Sequence, residues 1–185
     1  MLLLVNDNLD AFDVEAAMPL LSEQRREKIA LLANADDRRE SAAAYMLLRE
    51  ALSKKYSLAD APVFEYGDYG KPFLQGAEGI HFSLSHCRQA VVCAVAGFPL
   101  GVDVESLRPY NERLARYTMN DEELSRIESS PLPEVEFVRL WTMKEAVAKL
   151  SGRGINSLKN LLMEFEGCIE CVEELEKGYI YSVAR

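Results

Sequence analysis

Leu100-Gly101-Val102-Asp103-Val104-Glu105 is an apolar run interrupted by acids at two alternate positions. Such alternation predicts a β-strand, in which residues i and i+2 share a face. Val102 and Val104 then fill a core, and Asp103 and Glu105 stand side by side on the other face. Adjacent carboxylates repel. A hard cation relieves that repulsion, and Mg²⁺ takes carboxylate oxygen, water and phosphate. The solvated face of a half-exposed sheet has the same pattern, so the strand alone leaves both readings open.

Working outward, the next informative stretch is Trp141-Thr142-Met143-Lys144-Glu145-Ala146-Val147-Ala148-Lys149. It lies within a helix expected from about Glu134 to Leu150, after Pro131 and Pro133 break the chain and before Gly152 and Gly154 stop it. Leu140, Met143, Val147 and Leu150 form one apolar stripe. Glu145 and Lys149 fall opposite, as i,i+4 neighbours. They suit either a surface ion pair or a site. Trp141, the only tryptophan, sits one turn before Glu145, where it anchors the helix or walls a pocket.

Upstream, His81-Phe82-Ser83-Leu84-Ser85 alternates as a strand and Ala90 to Ala96 reads as a buried one. Ser85, His86 and Arg88 gather a hydroxyl, an imidazole and a guanidinium at a strand end, where they can grip a phosphate. A Ser-His nucleophile pair is the competing reading, but adjacent residues rarely aim at each other. Tyr66-Gly67-Asp68-Tyr69-Gly70-Lys71-Pro72 is turn chemistry. Ser22 caps a helix that starts Glu23-Gln24-Arg25-Arg26-Glu27-Lys28, given an apolar end by Leu31 and Leu32. A second helix starts near Asp36 or Asp37, carries Ala44, Leu48 and Leu52 on one stripe and ends at Lys54 and Lys55. Met1 to Asp7 contains a short strand. Helical stretches cover 111–117 and 121–127. Strands are expected at Leu161 to Phe165, around Ile169 to Val172 and at Tyr179 to Val183. Helices followed by strands, twice, predict an α+β chain of two similar halves, 1–99 and 100–185.

Composition limits the function classes. The 185 residues carry 30 acids against 21 Lys and Arg, a net charge of −9. A general nucleic-acid or anionic-membrane surface needs the opposite balance. No apolar run reaches membrane-spanning length and no signal-peptide pattern opens the chain, so a cytoplasmic location is expected. Cys87, Cys93, Cys168 and Cys171 are then reduced thiols. Cys168 and Cys171 have the spacing of half a zinc site, but the second close pair is missing. They are read as structural.

Together these stretches resemble a known family. The Asp103–Glu105 strand, followed about forty residues later by Trp141 to Lys149, is similar to the 4′-phosphopantetheinyl transferases. Gly70-Lys71-Pro72 and Phe82-Ser83-Leu84-Ser85-His86 match two further motifs of the larger, Sfp-like class in the right order. Arg25-Arg26-Glu27-Lys28 and Leu47-Leu48-Arg49 also look like that class, so the resemblance covers nearly the whole chain. The tail after Lys149 is shorter than in the best-known members.

The resemblance implies two similar α/β halves with coenzyme A in the cleft between them. It implies transfer of the 4′-phosphopantetheine arm of coenzyme A to a serine of an apo acyl or peptidyl carrier protein, releasing adenosine 3′,5′-bisphosphate. Asp103, Glu105 and Glu145 correspond to Mg²⁺ ligands, with Mn²⁺ an acceptable substitute. Glu145 corresponds to a general base and Lys149 to the lysine on the diphosphate. Lys71, Ser85 and His86 correspond to contacts with the nucleotide and its 3′-phosphate. Arg25, Lys28 and Ser41 correspond to further coenzyme A contacts, and Lys144 belongs to the motif with an open role. A monomer is implied, because the cleft lies within one chain. For a carrier protein to dock on so acidic a surface, a small apolar patch with nearby arginines is expected, with Arg113, Arg116 and Tyr117 as candidates. The competing functions are a Mg²⁺-dependent diphosphate hydrolase and a carrier-protein binder without catalysis.

Overall fold

The computed structural model describes residues 1–152 and 158–185. Its strands are β1 (Leu2–Asn6), β2 (Phe64–Tyr66), β3 (Pro72–Leu74), β4 (His81–His86), β5 (Val91–Ala96), β6 (Gly101–Ser106), β7 (Ile169–Glu174) and β8 (Tyr179–Ala184). Its helices are α1 (Val14–Ala17), α2 (Glu23–Ala30), α3 (Ala35–Tyr56), α4 (Glu112–Thr118), α5 (Asp121–Ser129) and α6 (Pro133–Ser151).

Two three-stranded antiparallel sheets have the same order of first, last and middle strand. One runs β1-β5-β4 and the other β6-β8-β7. Each has a long helix on its outer face. On the first sheet Val91, Cys93 and Val95 of β5 join Tyr45, Leu48 and Leu52 of α3 in one core. The other face of β5, Val92, Ala94 and Ala96, meets Val102, Val104, Tyr179 and Val183 of the second sheet. Ile180 then faces Phe137, Val138 and Leu140 of α6. The layers are helix, sheet, sheet, helix. The all-apolar β5 is legible in these terms, because a strand buried on both faces has no polar side to show.

Gly101 sets the approach of α6 to β6. A Cβ at Gly101 would lie 2.0 Å from the Ala146 carbonyl oxygen and 2.4 Å from the Leu150 nitrogen. Only a residue without a side chain lets the helix backbone come that close. The edges of the two sheets also meet: the Val102 N–H donates to Ser83 Oγ at 3.0 Å, so an edge-strand amide finds a partner outside its own ladder.

The Ser22 cap and the Gly152 stop are both present, and further caps close the other helices. Ser22 accepts from the Arg25 N–H as N-cap of α2, Asn111 caps α4, and Asn120 with Glu123 forms a capping box on α5. Helix α3 starts under an Asn34 cap and runs to Tyr56, where Ser57 closes it in the left-handed conformation. Helix α6 ends at Gly152 with φ of 66°, and Gly154 lies outside the described residues.

Four details differ from the sequence reading. Pro133 opens α6 at its first turn, where a missing N–H costs nothing. Leu31 lies beyond the end of α2 and is 86% exposed. Tyr66 to Pro72 joins two short strands, β2 and β3, as a hairpin. The expected strand at Leu161 to Phe165 is a turn in which the Met163 and Glu164 N–H groups both donate to the Asn160 carbonyl. Its apolar residues, Leu161, Leu162 and Phe165, pack on Ala146, Val147 and Ala184, so they serve as a cover for α6 and β8 rather than as a ladder.

Gly101→Ala should push α6 off β6 and destabilise the protein by about 3 kcal/mol, read as a lowered midpoint in urea unfolding with the slope unchanged.

Candidate active site

The close approach of β4, β6 and α6 gathers the charged residues that the sequence singled out. Lys149 Nζ donates to Asp103 Oδ1 at 2.7 Å and to Ser85 Oγ at 2.9 Å. Ser85 Oγ in turn donates to Asp103 Oδ1 at 2.8 Å. Asp103 is buried, and burial pushes its carboxyl up while the Lys149 ammonium and the Ser85 hydroxyl pull the other way. Its second oxygen, Oδ2, is buried without a hydrogen-bond partner.

Glu105 and Glu145 face the same opening, a cavity lined also by His86 and Val104. Burial, and then the Asp103 charge, raise both carboxyls above the ordinary range. Glu105 Oε1 accepts from the Trp141 indole N–H at 3.0 Å. A second cavity, about 290 Å³, runs from Glu145 and Lys149 past Phe82, Ser83 and Leu84 to Tyr69, Gly70 and Lys71 on the hairpin. Glu145 and Lys149 border both cavities.

Three crowded carboxylates, one with an orphaned buried oxygen, make a donor set of the type that holds a hard divalent cation. They are not drawn into a closed cluster: among the described residues no three or more His, Cys, Asp or Glu side chains converge tightly enough to form a ready metal site. Lys149 supplies the cation that Asp103 faces instead.

The remaining predicted residues divide. His86 stands at the end of β4 with Nδ1 2.8 Å from Glu40 Oε2, beside the first cavity. Ser41 is buried on α3 next to Glu40. Lys71 reaches α6: its ammonium donates to the carbonyls of Leu150 at 2.9 Å and Leu100 at 3.4 Å, its stem covers Gly152, and burial lowers its pKa. Arg25 stacks over Tyr45 and Phe64, each 5.7 Å away. Its buried Nε has no acceptor, and burial lowers its pKa. Lys28 Nζ lies 5.9 Å from the Tyr66 ring. Neither Arg25 nor Lys28 borders the two cavities around Glu145. Arg113 and Tyr117 are exposed on α4, whereas Arg116 is held by Glu112 and Glu128.

Sequence reasoning left the role of Lys144 open, and the structure supplies it. Its side chain is wholly buried. Nζ donates to the carbonyls of Thr118 at 3.0 Å, Leu158 at 2.6 Å and Lys159 at 3.0 Å, and lies 2.7 Å from Glu123 Oε2. The ammonium therefore ties α6 to the end of α4, to α5 and to the chain beyond residue 157. Glu40 was also missed, since a glutamate on a polar helix face carries no signal of a distant histidine partner.

Comparisons with known proteins identify a family. The 4′-phosphopantetheinyl transferase superfamily profile matches residues 99–180, which span the carboxylate strand and the whole of α6. A 4′-phosphopantetheinyl transferase of Bacillus subtilis is 31% identical over 151 residues, covering 80% of this chain and 67% of the relative. The 4′-phosphopantetheinyl transferase Sfp of Bacillus subtilis strain 168 is 29% identical over 145 residues, covering 77% and 65%. The 4′-phosphopantetheinyl transferase psf-1 of Bacillus pumilus is 32% identical over 146 residues, covering 77% and 63%. The chain thus spans about two thirds of the length of these relatives.

Lys144→Met strands a buried Glu123 carboxylate and three carbonyls. It should cost about 3–5 kcal/mol, measured by urea unfolding. Glu145→Gln should act in the opposite sense. The raised carboxyl binds its proton more tightly in the folded protein than in the unfolded chain, so its ionised form costs stability, and the cost appears as pH rises through the folded-state pKa. The amide should gain about 0.5–1 kcal/mol near neutral pH, a value discounted for the open cleft, and nothing below about pH 4. Urea midpoints measured across that range check the sign.

The superfamily profile over the carboxylate strand and α6, and a 31% identical relative covered over two thirds of its length, give one conclusion: the chain belongs to the 4′-phosphopantetheinyl transferase superfamily.

Proposed function

We propose that this chain transfers the 4′-phosphopantetheine group of coenzyme A to a serine hydroxyl of an apo acyl or peptidyl carrier protein, releasing adenosine 3′,5′-bisphosphate. The observation that carries the reading is the meeting of Asp103, Glu105, Glu145 and Lys149 at one cleft walled by β4, β6 and α6. In this reading residues 1–99 and 100–185 act as two halves with coenzyme A between them.

Mg²⁺, or Mn²⁺ in its place, held by Asp103, Glu105 and Glu145, would neutralise diphosphate oxygens as the P–O bond breaks. Lys149 contributes its ammonium, shared with Asp103, to the oxygen that gains charge. Glu145 accepts the proton of the carrier serine as its oxygen attacks phosphorus. His86, Lys71, Arg25, Lys28, Ser41 and Ser85 are proposed to line the coenzyme A path. Ser85 acts through Lys149, and Lys71 acts from the cleft wall while its ammonium holds α6. Arg113 and Tyr117 offer a docking patch for the carrier. Among the described residues no helix is long and apolar enough to cross a membrane, and four free thiols suit a reducing compartment. We place the protein in the cytoplasm as a monomer, without nucleic-acid or membrane partners.

Intact-protein mass spectrometry of an apo carrier protein, incubated with this chain, coenzyme A and Mg²⁺, tests the proposal. A gain of one phosphopantetheine, blocked by EDTA and reduced at least 100-fold by Lys149→Met, is expected. Release of phosphopantetheine to water without carrier modification would make the chain a diphosphate hydrolase. Coenzyme A binding without either product would leave a carrier binder.

A further inference from the structure

Glu105 is the penultimate residue of an edge strand, half-exposed, with three rotatable side-chain bonds. Left alone, such a carboxylate samples many positions, and fixing it costs conformational entropy. It is not left alone. The indole N–H of Trp141 donates to Oε1 at 3.0 Å, and the Arg108 guanidinium lies 3.6 Å from Oε2. Arg108 also lies over the Trp141 ring, 5.8 Å from its centroid.

The donor is itself held. The Trp141 ring packs on Phe137 at 6.2 Å, and Phe137 is fully buried with Tyr110 against it at 6.0 Å. The indole thus stands on an aromatic column rooted in the core, in a direction set by α6. Trp141, Glu145 and Lys149 are spaced i, i+4 and i+8 on that helix, so they share a face. One oxygen of Glu105 is bound to a donor whose orientation is fixed by the same helix that presents Glu145 and Lys149. Each carboxylate oxygen still has a second lone pair for a cation.

We propose that Trp141 is a positioning residue for Glu105. Its indole N–H aims the carboxylate toward the opening it shares with Asp103 and Glu145, and this sets the affinity of the site for a divalent cation. The inference rests on the cation reading of these carboxylates proposed above. Groups that hydrogen-bond a metal ligand from behind change metal affinity by about 10–100-fold. As the only tryptophan, Trp141 also reports optically on what Glu105 binds.

The test is Mn²⁺ binding to the purified chain, followed by the electron paramagnetic resonance signal of free Mn²⁺ with no substrate present. Trp141→Phe keeps a ring on Phe137 and removes the N–H. The expected result is binding by the wild-type chain, loss of binding in Glu105→Gln, and about tenfold weaker binding in Trp141→Phe with a urea midpoint near that of the wild type. Unchanged affinity in Trp141→Phe, with binding lost in Glu105→Gln, overturns the role of Trp141 and leaves the cation reading standing. Absent wild-type binding, or Glu105→Gln without effect, overturns both. Should Trp141→Phe fail to fold, wild-type fluorescence decides. Saturable quenching of Trp141 by Mn²⁺ at the dissociation constant found by resonance supports the role, and purely collisional quenching overturns it.

Discussion

Lys149, Asp103 and Ser85 come from three different elements, and their contact is where the two sheets and the last long helix are joined. A buried aspartate needs a counter-charge, because an isolated ion loses several kcal/mol of hydration on leaving water. Lys149 provides it from α6, and the Ser85 hydroxyl completes it from β4. The contact requires α6 to lie almost on the backbone of β6, which Gly101 permits. It also requires β4 to run beside β6, which Ser83 secures by accepting the Val102 N–H. Lys71 adds a second tie, from the hairpin to the carbonyl end of α6. The site is thus built by the same contacts that hold the layers together.

The two lysines of the motif helix have opposite roles, although they are five residues apart. Lys144 faces backbone carbonyls and one glutamate, is wholly enclosed, and has no route to a ligand. Lys149 is a third exposed and shares its aspartate with a cleft. Helical geometry makes the difference: five residues turn the side chain by about 140°, from the α4–α5 side to the cleft side. Glu145 and Glu105 remain crowded near Asp103 with raised carboxyls. That crowding lowers the stability of the unliganded fold, as is usual for sites that await a counter-charge.

Much of this was legible in the sequence, because the signals were local. The alternation at Asp103 and Glu105, the cap at Ser22, and the all-apolar β5 each follow from rules that span a few residues. The carboxylate strand and the i,i+4 pair of Glu145 and Lys149 carried the site for the same reason. What escaped notice depended on contacts far apart in the chain. Lys144 looked like any polar helix residue until Thr118 and Leu158 closed on it. Glu40 gave no hint of His86, 46 residues away. Leu161 to Phe165 had strand composition, but β8 already pairs with β6 on one side and β7 on the other. Apolar residues with no ladder to join packed as a cover instead.

The distribution of charge matters more than its sum. A net charge of −9 repels an anionic substrate at long range, yet beyond about 10 Å that repulsion is largely screened at moderate salt. Inside the cleft the balance is set by groups a few ångströms away, where Lys149 and the open lone pairs of three carboxylates dominate. Those carboxylates repel a diphosphate when the cleft holds no added cation. With a divalent ion bound they become the means of holding it. In a site of this composition an anion is poorly tolerated alone, whereas a bound divalent ion relieves the crowded carboxylates and makes room for it.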